Sequence, residues 1–140
     1  MKHATDTEIW TGSKRQKDAL RQKFGGRCAY CGFVLDKMHA DHLVPVLRVQ
    51  NDPWGRRLPA AEQIMHRPEQ NTVANMMPAC GPCNLHKAGY RLEEWRALLA
   101  RSPEILARDK SIFRAAQRFG LITVNEMPVT FYFERLTRPC

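Results

Sequence analysis

The chain has 140 residues, room for one compact domain or a small core with an elaborated edge, and too few for two independent cores. Hydrophobic residues at 44% with 9 Pro and 8 Gly exclude a disordered or collagen-like chain; no apolar run approaches the roughly 18 residues of a membrane span, and Met1-Lys2-His3-Ala4-Thr5-Asp6 lacks the apolar region of a secretory signal, so a soluble, cytoplasmic protein is expected. Lys and Arg number 22 against 14 Asp and Glu, a net charge of +8 that points to a polyanionic partner, nucleic acid first, or to a merely basic surface.

In chain order, Ser13-Lys14-Arg15-Gln16 reads as a capping box that opens a helix through Phe24, with Gly25-Gly26 able to supply its left-handed stop. Residues 1–27 hold seven basic and three acidic side chains and form an N-terminal basic segment. From Phe33 to Leu47 the pattern is strand-like, broken at Asp36-Lys37, which predicts a hairpin around that turn with Pro45 limiting its continuation. Arg48 to Thr72 mixes Asn51-Asp52-Pro53, Gly55, Pro59 and Pro68 with Trp54 and further arginines, the mark of a long loop with one helical turn at Ala60 to His66. A short helix is expected over Asn84 to Gly89. Leu92, Trp95 and Leu99 mark an amphipathic helix, and Ser102-Pro103-Glu104 opens another, with Ile105, Ile112, Phe113 and Ala116 on its apolar face, that runs to Gly120. Leu121 to Val124 and Val129-Thr130-Phe131-Tyr132-Phe133 alternate around Asn125 to Pro128, as a terminal hairpin would. The expected organisation is the basic helix over 1–27, a core over 28–90 carrying the inserted loop 48–72, and C-terminal helices and a hairpin over 91–140 that pack on the core.

Four of the five cysteines form two Cys-x-x-Cys pairs, Cys28-Ala29-Tyr30-Cys31 and Cys80-Gly81-Pro82-Cys83, with Cys140 left over as an unligated thiol in a frayed tail. In a reducing compartment two such knuckles suit one tetrahedral structural zinc, whereas a redox site needs only one pair beside a βαβ pattern that is not evident here. Gly32 and Gly81 would let backbone amides turn toward sulfur. Between Cys31 and Cys80 lie 48 residues, more than a simple zinc ribbon holds, so something is built between the knuckles.

That intervening stretch contains Ala40-Asp41-His42-Leu43-Val44-Pro45 and Asn75-Met76-Met77-Pro78-Ala79-Cys80, and the second pair continues as Cys83-Asn84-Leu85-His86-Lys87. The order of these elements resembles the HNH endonuclease family: a Cys-x-x-Cys, an Asp-His before an aliphatic residue and Pro, an Asn ahead of a second Cys-x-x-Cys, and His or Asn just after it. The resemblance implies an α+β fold whose ββα-metal (HNH, His-Me finger) core is stapled by the four-cysteine zinc. It implies further that Asp41 and Asn84 ligate a catalytic divalent ion, Mg²⁺ or Mn²⁺, that His42 is the general base, and that Asn75 braces the loop carrying His42. DNA phosphodiester hydrolysis is the activity implied. The chemistry fits: a divalent ion neutralises charge developing on a phosphodiester, and a neutral imidazole can take a proton from water. Lys87 is expected to contact phosphate, and Arg56 and Arg57 of the insertion to contact nucleic acid beside Trp54. Adjacent strand residues face opposite ways, so Asp41 and His42 converge only if the strand ends or kinks there.

Each element alone has an ordinary explanation: a strand-end Asp-His pair, a turn Asn75, a helix-capping Asn84, a surface Lys87. His39 reads as a surface histidine that shares the face of Asp41, and His86 as pointing away from any ion held by Asn84. The His42 to Asn75 gap, 33 positions, is longer than the compact family version and leaves Asn71 as a competitor for the place of Asn75. Two other functions remain: a zinc-stabilised nucleic-acid-binding module without hydrolysis, and a zinc-organised protein-interaction domain. Monomer or homodimer is open, and the family's phage, homing, restriction and repair settings are not separated by sequence.

Overall fold

The computed structural model describes residues 7–137, so Cys140 and His3 lie outside the described residues. Its elements are mixed α and β, and no helix is long and apolar enough to cross a membrane. Two compact units divide the chain, one formed by the residues up to Arg91 together with those from Phe131 onward, the other by Leu92–Thr130. The second unit begins at Leu92, and the chain returns to the first unit at Phe131.

Helix α1 (Lys14–Gln22) starts where the capping box predicts: Ser13 Oγ accepts the Gln16 amide at 3.2 Å. Gln16 is buried and its side-chain oxygen reaches back to the amides of Thr11 and Gly12, at 2.8 and 3.1 Å. Its side-chain nitrogen donates to Glu8 Oε1 and the Ile9 carbonyl, so one glutamine ties the entering strand to the helix. That strand then pairs with the far side of the chain through an isolated bridge between Ile9 and Thr72.

Strand β1 (His39–His42) is the first element of the central pair, and its partner is β4 (Met76–Ala79), antiparallel, with Asp41 opposite Met77 and His42 opposite Met76. The hairpin expected around Asp36-Lys37 does not form. Val34 pairs instead with Arg27 across the first Cys-x-x-Cys, which is itself the turn, and both Phe33 and Val34 are exposed. The long-range pairing wins because β4 offers four consecutive buried residues to cover β1, which no segment near residue 34 can match. Helix α2 (Gly81–Lys87) follows β4 directly, with Pro82 in its first turn, where a missing N–H costs nothing. Lys23, at the end of α1, donates to the Met76 carbonyl at 2.8 Å and its ammonium is held below the ordinary lysine range by burial, so α1 is anchored on β4 as well.

The segment read as a long loop is an ordered arm. Its base is β2 (Arg48–Val49) paired antiparallel with β3 (Ile64–Met65), and a further bridge joins Asn51 to Arg57 nearer the tip. The helical turn expected at Ala60 to His66 is confined to Ala60–Glu62, because Gln63 is already extended and leads into β3.

In the second unit, α3 (Leu92–Ala100) forms as predicted, but the following helix is two: α4 (Ser102–Asp109) and α5 (Ser111–Arg118), broken at an extended Lys110. Arg114 makes the break tolerable by donating to the carbonyls of Ala107 and Arg108, end-of-helix acceptors that would otherwise lack partners. The C-terminal hairpin is also absent. Residues 121–130 have no regular structure, and Tyr132–Thr137 is a helix, α6, whose Glu134 carboxylate accepts the Phe131 amide. This is half of a capping box with Phe in place of Ser or Thr, which is why the pattern hid it. The aromatic alternation serves docking: Tyr132 and Phe133 amides donate to the Tyr30 and Ala29 carbonyls, and Phe131 and Phe133 meet the Tyr30 ring edge-on.

Gly32 closes the first knuckle at φ +78°, and a β-carbon there would lie 2.9 Å from the Tyr132 ring. Gly81 has no such need: a β-carbon would meet only His39 Nε2, at an ordinary 3.6 Å. Gly32→Ala should therefore cost about 1–2 kcal/mol from the left-handed backbone alone and more from the α6 contact, and Gly81→Ala much less; thermal unfolding of the two variants checks the order.

Candidate functional site

The two knuckles meet. Cys28, Cys31, Cys80 and Cys83 place their sulfurs within 4.8 Å of one another, and the Cys31 and Cys80 sulfurs are 3.8 Å apart. A tetrahedral ion with Zn–S near 2.3 Å requires sulfur separations of about 3.8 Å, whereas a disulfide needs about 2 Å, so the cluster has the size of a metal site and not of a bond. Cys28 is fully buried, and its thiol is pulled down to about 4, first by the hydrogen bond from Cys83 and then, against burial, by the backbone amides of Cys31, Cys80 and Tyr30. Cys83 moves up because it holds the shared proton beside that thiolate. Four sulfurs competing for few protons are a soft-donor set suited to zinc.

Tyr30, between the first two cysteines, links this centre to β1. Its hydroxyl donates to Asp41 Oδ2 at 2.5 Å, and its own ionisation is pushed up by burial and then by the Asp41 charge, so it stays a donor. The same carboxylate oxygen is 3.1 Å from Lys87 Nζ, which also donates to the His42 carbonyl at 2.8 Å. Lys87 is wholly buried, one turn beyond the second knuckle. The expected phosphate contact at Lys87 is thus corrected: a side chain with no exposed surface that satisfies Asp41 and a strand carbonyl is an internal counter-ion. Oδ1 of Asp41 makes no hydrogen bond to the described residues.

His42 ends β1, and the chain bends after it; the Leu43 amide donates to the Asn75 carbonyl. Asn75 grips the bend, its Oδ1 accepting the Val44 amide and its Nδ2 donating to the Val44 and Gln70 carbonyls, all at 2.8–2.9 Å. It does not touch the imidazole. That contact belongs to Asn71, whose Oδ1 lies 2.9 Å from His42 Nε2. Asn71 is itself clamped: its carbonyl accepts the Trp10 amide at 3.0 Å and its Nδ2 donates to the Trp10 carbonyl at 3.3 Å. With Nδ2 committed as donor, Oδ1 faces His42 and can only accept, so the imidazole carries its hydrogen on Nε2 and, when neutral, keeps the lone pair on Nδ1.

Asp41 and His42 border the same cavity. Both line a cleft of about 380 Å³ together with Asn84, Arg48, Gln50 and Trp10. The Asn84 side-chain amide makes no hydrogen bond with the described residues, and Asp41 Oδ1 and Asn84 are hard oxygen donors of the kind Mg²⁺ or Mn²⁺ takes. His39 is half-buried beside Gly81, and His86 is exposed; neither lines this cleft. Arg56 and Arg57 lie out on the arm. Sequence reasoning missed Tyr30, Asn71 and Arg48. The first reads as an ordinary aromatic between cysteines, the second was only a rival for Asn75, and the third sat at the edge of an assumed loop.

Two outcomes follow. Purified protein should carry about one zinc per chain, and chelation or Cys80→Ser should unfold the first unit; because protons and metal compete for the same sulfurs, zinc retention should fall as pH is lowered, read by metal analysis against circular dichroism. Lys87→Ala should cost roughly 3–5 kcal/mol by leaving Asp41 buried without its cation, whereas an exposed lysine would cost little. Urea unfolding of the zinc-loaded variant measures it. No protein-family model, curated protein or solved structure matches the chain, so any function must be argued from these side chains.

Proposed function

We propose that the chain is a metal-dependent endonuclease that hydrolyses DNA phosphodiester bonds, with His42 as general base, in the manner of the HNH nucleases its motifs resemble. The observation that carries this is the meeting of Asp41, His42 and Asn84, from β1 and α2, in one cleft beside Arg48, whose guanidinium makes no hydrogen bond or ion pair with the described residues. The strand, strand, helix order of β1, β4 and α2 supports the HNH core, and a four-sulfur cluster sized for zinc supports the staple. Free thiols available for metal fit a reducing, intracellular setting.

In this mechanism Asp41 Oδ1 and Asn84 would hold one divalent ion, which would supply neutralisation of the charge developing on a phosphodiester. Asn71 fixes the imidazole through Nε2–H, so Nδ1 of His42 receives the proton of the attacking water. Asn75 keeps the bend at Val44 from relaxing and so keeps that ring in place. Arg48 meets the phosphate from the arm side of the cleft. Lys87 and Tyr30 already satisfy the other oxygen of Asp41, which lowers the charge the carboxylate can offer a cation. This favours, as a second reading, a nucleic-acid-binding module without hydrolysis.

Supercoiled plasmid incubated with zinc-loaded protein and Mg²⁺ or Mn²⁺ tests the two readings. Wild type should nick or linearise it, and His42→Ala should fold and bind DNA but cut roughly 10²- to 10⁴-fold more slowly. Asn71→Leu should lower the cutting rate by roughly 10- to 100-fold while leaving DNA affinity unchanged. Equal cutting by His42→Ala would remove that residue from the mechanism, and DNA binding without cutting by wild type would establish the module.

A further inference from the structure

The arm between β1 and β4 carries features the cleft does not use. Its tip is shaped by one carboxylate: Asp52 accepts the amides of Trp54 and Arg56 on Oδ1, both at 2.9 Å, and Arg56 Nε on Oδ2 at 2.8 Å. Those bonds, the Arg56 amide first among them, hold Asp52 below the usual carboxylate range. On this fixed turn the Trp54 indole is 79% exposed, with the Arg56 guanidinium 5.7 Å from the ring centroid. A large apolar ring on a loose loop needs no explanation, but one presented by a pre-shaped turn does. Below it, Arg57 is steadied by Gln50 Oε1 at 2.9 Å, and Gln50 and Arg48 belong to the cleft wall. Residues 48–67 hold four arginines against Asp52 and Glu62.

We propose that DNA leaving the cleft lies along this arm, with its phosphates on Arg48 and Arg57 and a base stacked on Trp54. The inference rests on the endonuclease reading for the cleft and adds the surface that holds the flanking strand. An aromatic ring with a neighbouring guanidinium is the combination that stacks on nucleobases, while the arginines meet phosphates. Trp54 lies six positions beyond Arg48, at most about 20 Å of extended backbone, so a base stacked on Trp54 is about six nucleotides from a phosphate held by Arg48.

The test is fluorescence anisotropy with zinc-loaded protein and no added Mg²⁺ or Mn²⁺, on labelled single-stranded and duplex oligonucleotides at several salt concentrations. Trp54→Ala should weaken binding to at least one form by roughly 5- to 150-fold, with Trp54→Phe retaining most of the affinity. Arg57→Gln should lower the slope of log affinity against log salt by about 1 without changing sequence preference. Shortening the flank to two or three nucleotides should reduce wild-type binding but leave Trp54→Ala indifferent. Unchanged binding by Trp54→Ala on both forms overturns the proposal. If wild type binds here and cuts in the plasmid assay while Trp54→Ala matches it in both, the arm alone is excluded; if wild type neither binds here nor cuts plasmid with Mg²⁺ or Mn²⁺, the endonuclease reading falls with it.

Discussion

Asp41 is a carboxylate with almost no access to water, and a buried charge has to be answered from inside the protein. Two groups answer it on one oxygen, the Tyr30 hydroxyl and the Lys87 ammonium, and they arrive from the first and the second cysteine knuckle. The arrangement of the first unit depends on this junction. If either knuckle shifted by an ångström, the carboxylate would lose a partner, and losing the cation alone would cost several kcal/mol. The sulfur cluster and the cleft are thereby registered to one another through a short path of chain neighbours joined by one hydrogen bond: Cys28 and Cys31 flank Tyr30, the Tyr30 hydroxyl holds Asp41, and Asp41 adjoins His42. The four-sulfur cluster and the cleft are mechanically one unit.

Much of this junction was legible in the sequence and some of it was not, for reasons that can be named. Cysteine spacing is a covalent-scale constraint, so Cys28, Cys31, Cys80 and Cys83 could be paired across 48 residues without knowing the path between them. The order of the motif singled out Asp41, His42 and Asn84, which line one cleft. The role of Lys87 was not, because a lysine carries the same letter whether it is solvated or used as a counter-ion, and only the position of Asp41 decides. Strand partners were the weakest reading. Period-2 alternation states that a segment can be a strand but is silent on its partner, so Val34 and Val44 suggested a hairpin that the buried run Met76–Ala79 displaced. The end of the chain failed differently: the Tyr132 and Phe133 amides dock on the knuckle backbone, while the Phe131 and Phe133 rings cluster on Tyr30 and the chain continues as a helix.

Asn71 and Asn75 divide between them a task that the sequence suggested for one residue. Asn75 spends every hydrogen-bonding atom of its amide on backbone, and Asn71 spends its donor on Trp10 and offers its oxygen to the ring. An imidazole whose Nε2 proton is claimed keeps only Nδ1 as an acceptor, so one contact sets both the orientation of the ring and its tautomer. The N-terminal strand that supplies Trp10 is, in this sense, part of the site although it is remote in sequence. Gln16, which secures that strand to α1, extends the dependence back to the first helix.

Because the arm leaves the core after His42 and returns at Met76, residues paired with each other in the central ladder, its two ends are pinned a strand's width apart whatever its length. Loop-closure entropy grows only by about 0.6 kcal/mol for each doubling of a flexible excursion, and a cation gripped by both knuckles would close the same circuit from outside. Length at this point is therefore thermodynamically inexpensive. The arm behaves as a cassette: its tip can be lengthened, shortened or exchanged through evolution or grafting while the ladder, the carboxylate junction and the sulfur clasp keep their geometry.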